Sequence, residues 1–153
     1  MLTKVTDNYQ PIIRPARLQD TERISNLSKQ LGYSIGHGDI RDRLRSLKQD
    51  DLHIIYVASW RNDFVVGWIH AHKSDFIIVS PQVLIFGLIV DINYRRRGIA
   101  RLLVQKVEEW ALIKNCQTVR LRSNITRKDA HNFYENIGYK NTKHSLEFSK
   151  NLI

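Results

Sequence analysis

A nearly unbroken apolar run, Val83 to Val90, leads into Arg95-Arg96-Arg97-Gly98-Ile99-Ala100 and then into a helix-periodic stretch. A run of that kind reads as a strand buried on both faces, which places it mid-sheet. Three arginines then crowd a helix start where the macrodipole is already positive, at a cost of roughly 0.3–1 kcal/mol each. A helix start that is both basic and glycine-bearing makes sense with an anion seated on it. Free backbone N–H groups, a positive dipole end and guanidinium forks are what a phosphate or pyrophosphate binds. The plainer alternative is a solvated basic turn.

The rest of the chain supplies elements around this strand–turn–helix. Ile12 and Ile13, before Arg14-Pro15, begin a short strand. Asp20 is placed to cap a helix carrying Ile24, Leu27 and Leu31, stopped by Gly32, and Asp39 to cap a second with Ile40, Leu44 and Leu47 on one face. Leu52 to Trp60 and Phe64 to His72 read as antiparallel strands joined by a hairpin turn at Arg61-Asn62-Asp63. The helix from about Gly98 to Lys114 has one apolar face built from Ile99, Leu102, Leu103, Val107, Trp110 and Ala111. Val119 and Leu121 alternate with Arg120 and Arg122 in a short strand. Ala130 to Asn136 is a short helix ended by Gly138, and Tyr139 to Phe148 is expected as a closing strand. The order is β-α-α-β-β-β-α-β-α-β, an α/β domain with a mixed sheet.

At 153 residues the chain is most simply one domain. The 24 Lys and Arg against 15 Asp and Glu give a net charge of +9, which favours anionic partners without choosing among them. Cys116 is the single cysteine, so no intramolecular disulfide forms, which fits a reducing compartment. The N-terminus lacks a hydrophobic signal core, and no apolar run approaches the ~18 residues of a membrane span. These features lead to the expectation of a cytoplasmic protein without membrane or metal.

The element order, the Arg95-x-x-Gly98-x-Ala100 turn and the later Ala130-His131-Asn132-Phe133-Tyr134-Glu135-Asn136-Ile137-Gly138-Tyr139, one helix and one strand apart, together resemble the GNAT superfamily of acetyl-CoA-dependent N-acetyltransferases. The resemblance covers roughly residues 12 to 149. It implies the GNAT-type acyl-CoA N-acyltransferase fold, a mixed central sheet with helices on both faces, in a single domain over residues 1–153. It implies acetyl-CoA as co-substrate, with no metal, and attack by a primary amine of a small molecule or a protein through a ternary complex. The strand before the arginine turn would splay from its neighbour, with Leu88, Ile89 and Val90 lining the cofactor arm. Gly87 suits this, because glycine inside a strand marks a bulge or a close backbone approach. Arg95, Arg96, Arg97, Gly98, Ile99, Ala100 and Arg101 would wrap the pyrophosphate, chiefly through backbone N–H groups, with Gly98 needed because a Cβ would hold the phosphate off. Tyr134 matches the family tyrosine that protonates the departing thiolate, and a backbone N–H near Val90 would stabilise the oxyanion. Packing of Tyr134 beside Phe133, and of Leu88 to Val90 as plain core, are the structural alternatives. Dimers are common in the family, and nothing in this sequence fixes an interface.

The pattern departs in two places. Many relatives carry a carboxylate on the central strand as base. Val83 to Leu88 contains none, and Phe86 stands about where a glutamate is expected. His70 and His72, on one face of the preceding strand with Trp68, are the next candidates. Ordinary strand-surface histidines are the alternative, and a metal role for the His-x-His pair lacks a third ligand. Arg127 stands where many relatives have an asparagine. Asn124, the nearest upstream, could bond pantetheine or simply make a turn, and Arg127 and Lys128 could meet the 3′-phosphate. The acceptor pocket implied by the resemblance lies at about Leu31 to Leu47, with Tyr33, His37, Asp39 and Asp42 in reach of an amine. The +9 charge argues against a highly cationic acceptor such as an aminoglycoside. A non-catalytic acyl-CoA-binding module is the alternative raised by the missing carboxylate. Nucleic-acid binding through Arg41, Arg43, Arg45, Lys48, Arg120 and Arg122 has no accompanying motif.

Overall fold

The computed structural model describes residues 8–153. They form two compact units, one running to Arg122 and the other Ser123–Ile153. The first holds β1 (Ile12–Pro15), α1 (Thr21–Gln30), α2 (His37–Lys48), β2 (His53–Trp60), β3 (Phe64–Ser74), β4 (Gln82–Val90), α3 (Ile99–Ile113) and β5 (Val119–Leu121). The second holds α4 (Lys128–Asn136). The sheet runs β1-β2-β3-β4-β5, antiparallel except for the parallel β4–β5 pair. Among the described residues no helix is long and apolar enough to cross a membrane.

Side-chain alternation sorts the sheet into two covered faces. On one, Ile55, Val57, Val65 and Ile89 pack with Ile24 and Leu27 of α1 and Ile40 and Leu44 of α2, with Trp68 against the same cluster. On the other, the buried stripe of α3 — Ile99, Leu103, Val104, Val107, Trp110 and Ala111 — meets the opposite side of β2, β3 and β4. Gly67 lets that helix come close, since a Cβ there would lie 3.3 Å from the Leu103 side chain.

Four sequence expectations need correction. Asp20 does not cap α1 with its side chain. Its buried carboxylate takes the Arg14 guanidinium at 2.8 and 2.9 Å and the Arg17 N–H at 2.7 Å, since a guanidinium fork satisfies a buried carboxylate more fully than a helix start. Asp39 does not cap α2 either, because the helix begins earlier, at His37 after an extended Gly36, leaving Asp39 within its first turn. β4 is not buried throughout: Phe86 is 60% exposed. The cause is a bulge, because His70 faces Gly87 and Ala71 faces Ile85, leaving Phe86 as the extra residue. Finally, Tyr139 to Phe148 forms no strand. Among the described residues no strand pairs with this segment, and the alternating Leu146 and Phe148 remain exposed.

Candidate active site

The ladder from β4 to β5 covers only Val83, Ile85 and the residue between them. Past that point the β5-side edge of Phe86 to Val90 has no strand partner among the described residues, while β3 still pairs the other edge as far as Val90. Leu88 is half-buried, and Ile89 and Val90 are buried. The strand therefore presents backbone groups along one side in the stretch where the sequence places a cofactor arm. Gly87 has a packing reason of its own: a Cβ there would lie 2.7 Å from the Trp68 ring.

The chain then turns through Ile92–Tyr94 into α3. Asp91 anchors the turn, accepting the Asn93 N–H and the Arg23 guanidinium, each at 3.0 Å, while its own N–H donates to the Val66 carbonyl at 2.8 Å. Burial pushes the Asp91 carboxyl up, but the Asn93 N–H and the Arg23 charge outweigh it and hold it below the usual carboxylate range. Arg96 and Gly98 both adopt left-handed backbone, with φ of 61° and 75°. Alternation of this kind turns successive N–H groups toward one concave side, an anion nest. Gly98 stands at the N-cap of α3, where no side chain caps the helix and no acid lies in its first turn. Apart from its chain neighbours, no described heavy atom lies within 4 Å of where its Cβ would be. The N–H groups of Ile99, Ala100 and Arg101, in the first turn, have no intrahelical acceptor and lie at a positive helix end.

The arginines divide their roles. Arg95 donates to the Val90 carbonyl at 3.2 Å, tying turn to strand. Arg97 lies over the Trp60 and Tyr94 rings, at 5.3 and 5.4 Å. Arg96 and Arg101 are exposed. Main-chain donors are therefore the fixed part of this anion site.

On the α1/α2-side face, three histidines come together where the hairpin pairs His53 with His72 and Ile55 with His70. His53 Nδ1 and His70 Nε2 are 2.9 Å apart, and the His53 ring lies 4.1 Å from that of His72. His53 Nε2 is 3.8 Å from the Asp50 carboxylate, and His72 Nδ1 bonds the Ser74 hydroxyl at 2.8 Å. Phe86 closes the strip, its ring 5.6 Å from His70 and 6.0 Å from His72. Burial, then His53 and His72, push His70 down to about 4. Burial and His72 also push His53 down, with Asp50 opposing. Among the described residues no group of three or more His, Cys, Asp or Glu is arranged to hold a metal. The nearby Trp68 Nε1 is buried without a hydrogen-bond partner, and nothing in the structure explains it.

In the second unit, Tyr134 sits on α4, edge-to-face with Phe133 at 5.1 Å and with Tyr139 at 5.9 Å. Burial pushes its hydroxyl up, with Arg127 opposing. Asn124 uses its side-chain oxygen locally, accepting from Thr126 N at 3.0 Å and Thr126 Oγ1 at 2.8 Å. Arg127 stands just ahead of α4 at its N-cap.

Leu88 through Arg101 thus form one continuous strand–turn–helix, as the sequence implies, whereas Asn124 and Tyr134 belong to the other unit. Sequence reasoning names His70 and His72 as candidates for the base, with ordinary strand-surface histidines as the alternative, and misses His53 altogether. The signal was available: a hairpin turning at Asn62 must fold His53 opposite the residue about ten positions past the turn.

Residues 19–139 match the model of the acetyltransferase (GNAT) family. The chain is 32% identical over 137 residues to an aminoglycoside N(6′)-acetyltransferase type 1 from Acinetobacter genomosp. 13, covering 90% of this chain and 81% of that one. A shorter match, 39% over 51 residues, links a third of the chain to 19% of N-acetylaspartate synthetase from Xenopus tropicalis. Among solved structures, the aminoglycoside N-acetyltransferase AAC(6′)-Iy in complex with CoA superposes with a TM-score of 0.84 at 21% identity, covering 95% of this chain and 98% of that one.

Proposed function

The chain belongs to the acetyltransferase (GNAT) family as an acetyl-CoA-dependent N-acetyltransferase, and we propose that residues 1–153 act as one domain that passes the acetyl group directly to a primary amine. The observation that carries this is the β4 edge, which has no ladder partner beyond Ile85 among the described residues and runs into an uncapped, acid-free helix start opened by Gly98. An extended arm bearing amides and ending in a pyrophosphate fits that shape: the edge offers N–H and C=O groups, and the turn offers N–H groups alone. The co-substrate supplies the activated thioester. Leu88, Ile89 and Val90 hold its arm by their backbone, with the Val90 N–H toward the developing oxyanion. Arg95 through Arg101 hold the pyrophosphate, and Asn124 bonds the pantetheine. Tyr134, kept protonated by its burial, donates its proton as the thiolate leaves.

The acceptor follows from the charge near α2. Arg41, Arg43, Arg45 and Lys48 face only Asp39 and Asp42 on that helix, and Asp42 is already tied to Arg45 at 3.3 Å. This favours amines of low total charge over polycations, although two curated relatives are named for aminoglycosides.

The test is thermal unfolding with acetyl-CoA, CoA and ATP at matched ionic strength, then thiol release with tyramine, glucosamine, putrescine, kanamycin and a lysine peptide. Stabilisation by acetyl-CoA beyond ATP, with release strongest for tyramine or glucosamine, is expected. Absence of stabilisation overturns the cofactor site, and kanamycin as best acceptor overturns the charge argument.

A further inference from the structure

An amine reaches the thioester as an ammonium ion and must lose a proton before it can attack, yet β4 offers no carboxylate. Its bulge residue is Phe86, and two of the residues beside that ring are His70 and His72. We propose that His70 is the base that takes the proton from the acceptor ammonium, with His53 and Asp50 as positioning residues that orient it and pass the proton outward. This rests on the transfer reading above.

The hydrogen-bond geometry selects the tautomer. Between His53 Nδ1 and His70 Nε2, 2.9 Å apart, one nitrogen must carry the hydrogen. If His53 Nδ1 carried it, neutral His53 would turn a lone pair toward the Asp50 carboxylate, 3.8 Å away. If His70 Nε2 carries it, neutral His53 holds its hydrogen on Nε2, the nitrogen 3.8 Å from that carboxylate. Asp50 therefore favours the second arrangement. It leaves His70 Nδ1, which has no hydrogen-bond partner among the described residues, with a free lone pair.

The groups facing His70 are all accounted for. β2 and the turn before it present His53 and Asp50, and its own strand presents His72. β4 presents Phe86 and Gly87, neither titratable. With burial and two imidazoles against it, His70 is neutral at pH 7 and holds a proton only weakly, so it can serve as a relay but not as a store. It does not have to keep that proton. One arrives at Nδ1 from the ammonium, the Nε2 proton moves to His53 Nδ1, and the His53 Nε2 proton leaves toward Asp50, whose side chain is 48% exposed to water. The neutral amine then forms the C–N bond, and the C–S bond breaks. The second nitrogen proton balances the one taken up by the departing thiolate, so each turnover yields amide, free thiol and one proton to solvent.

The experiment is kcat/KM for the best amine of the panel, tyramine by default, between pH 6 and 10 for wild type, His70→Gln, His53→Gln and His72→Gln. It is accompanied by long-range 1H–15N spectra of the wild-type imidazoles. The expected result is a ~100-fold loss for His70→Gln at pH 7, shrinking toward pH 10 as the amine deprotonates unaided, with KM for acetyl-CoA unchanged. His53→Gln loses about tenfold and shifts the acidic limb of the profile, and His72→Gln, which removes one imidazole that pushes His70 down, moves that limb without the loss seen for His70→Gln. The spectra show His70 as the Nε2–H tautomer. Wild-type kcat/KM in His70→Gln at pH 7, or an Nδ1–H tautomer at His70, overturns the relay while leaving acetyl transfer standing. Wild-type protein that binds acetyl-CoA but releases no thiol with any amine overturns the transfer reading and the relay with it.

Discussion

Gly98 offers a perturbation in which backbone strain and charge can be measured apart. Its φ of 75° lies in the left-handed region, and, apart from its chain neighbours, no described heavy atom lies within 4 Å of a Cβ placed there. Gly98→Ala therefore meets no clash, and its whole cost is conformational, about 1–2 kcal/mol. For a domain of this size that lowers Tm by about 2–8 °C. If the chain relaxes instead, the N–H groups of Ile99 and Ala100 swing off the anion and affinity for acetyl-CoA falls. Gly98→Glu carries the same strain plus a carboxylate. At about 5 Å from a phosphate charge and an effective dielectric of about 20, the repulsion is about 3 kcal/mol per charge. Screening by salt reduces this to about half, or tenfold in Kd. Calorimetric titration with acetyl-CoA and thermal melts of wild type and both variants separate the two effects. Both variants should melt lower by similar amounts, and only Gly98→Glu should lose a further tenfold or more in affinity. Equal Kd for the two variants would refute the pyrophosphate site. Wild-type melting in both would refute the left-handed backbone at Gly98.

Tyr134→Phe should lower kcat at least 100-fold while leaving the Kd for acetyl-CoA within twofold, and equal losses in stopped-flow turnover and titration would mark the phenol as structural. Arg23→Ala strips the partner from Asp91, which is 6% exposed, and should cost about 3 kcal/mol in urea unfolding at pH 7. Because Asp91 is held below its ordinary range, its contribution is present above the ordinary carboxylate value and lost as pH falls through the lower folded value. The gap between Arg23→Ala and wild type should therefore close in acid. His70 has the opposite sign of effect: held at about 4 when folded, it takes up a proton more readily unfolded, so it costs stability as pH falls from about 6.5. Allowing for its partial solvent access, His70→Gln should remove about 1–3 kcal/mol of the stability lost between pH 6.5 and 4, read from melts across that range.

What the sequence disclosed was local. Val83 to Val90, the arginine turn and the α3 stripe are contiguous, so apolar periodicity and helix-start chemistry were enough to place them. What it concealed were the partners. Asp20 looks like a cap because capping is the local option for an acid before a helix. Its actual partner, Arg14, reaches it from the adjoining β1 strand. The closing strand was expected because Tyr139 to Phe148 alternates, yet alternation records a preference that only a neighbouring strand can satisfy. The histidine strip was hidden for the same reason. His53 and His70 are 17 positions apart and meet only through the β2–β3 register.

The bulge at Phe86 ties these observations together. In a regular strand, Phe86 and Gly87 would point to opposite faces, and Phe86 would enter a sequence reading as one more core residue. Inserting one unpaired residue turns both toward the face that carries Trp68 and His70. Two adjacent residues on one face cannot both be large. Gly87 gives its space to the Trp68 ring, which a Cβ would meet at 2.7 Å, and Phe86 is left 60% exposed against the imidazoles. With an apolar bulge residue β4 offers no base at this point, and the one proposed above sits on the strand opposite, where His70 pairs with Gly87. The prediction that separates this from coincidence is Gly87→Ala. The added methyl must displace Trp68, so it should disturb the neighbouring His70 and cost turnover as well as stability. A Gly87→Ala enzyme destabilised by about 1–3 kcal/mol but with an unchanged pH–rate profile would break the link between the bulge and the proton path.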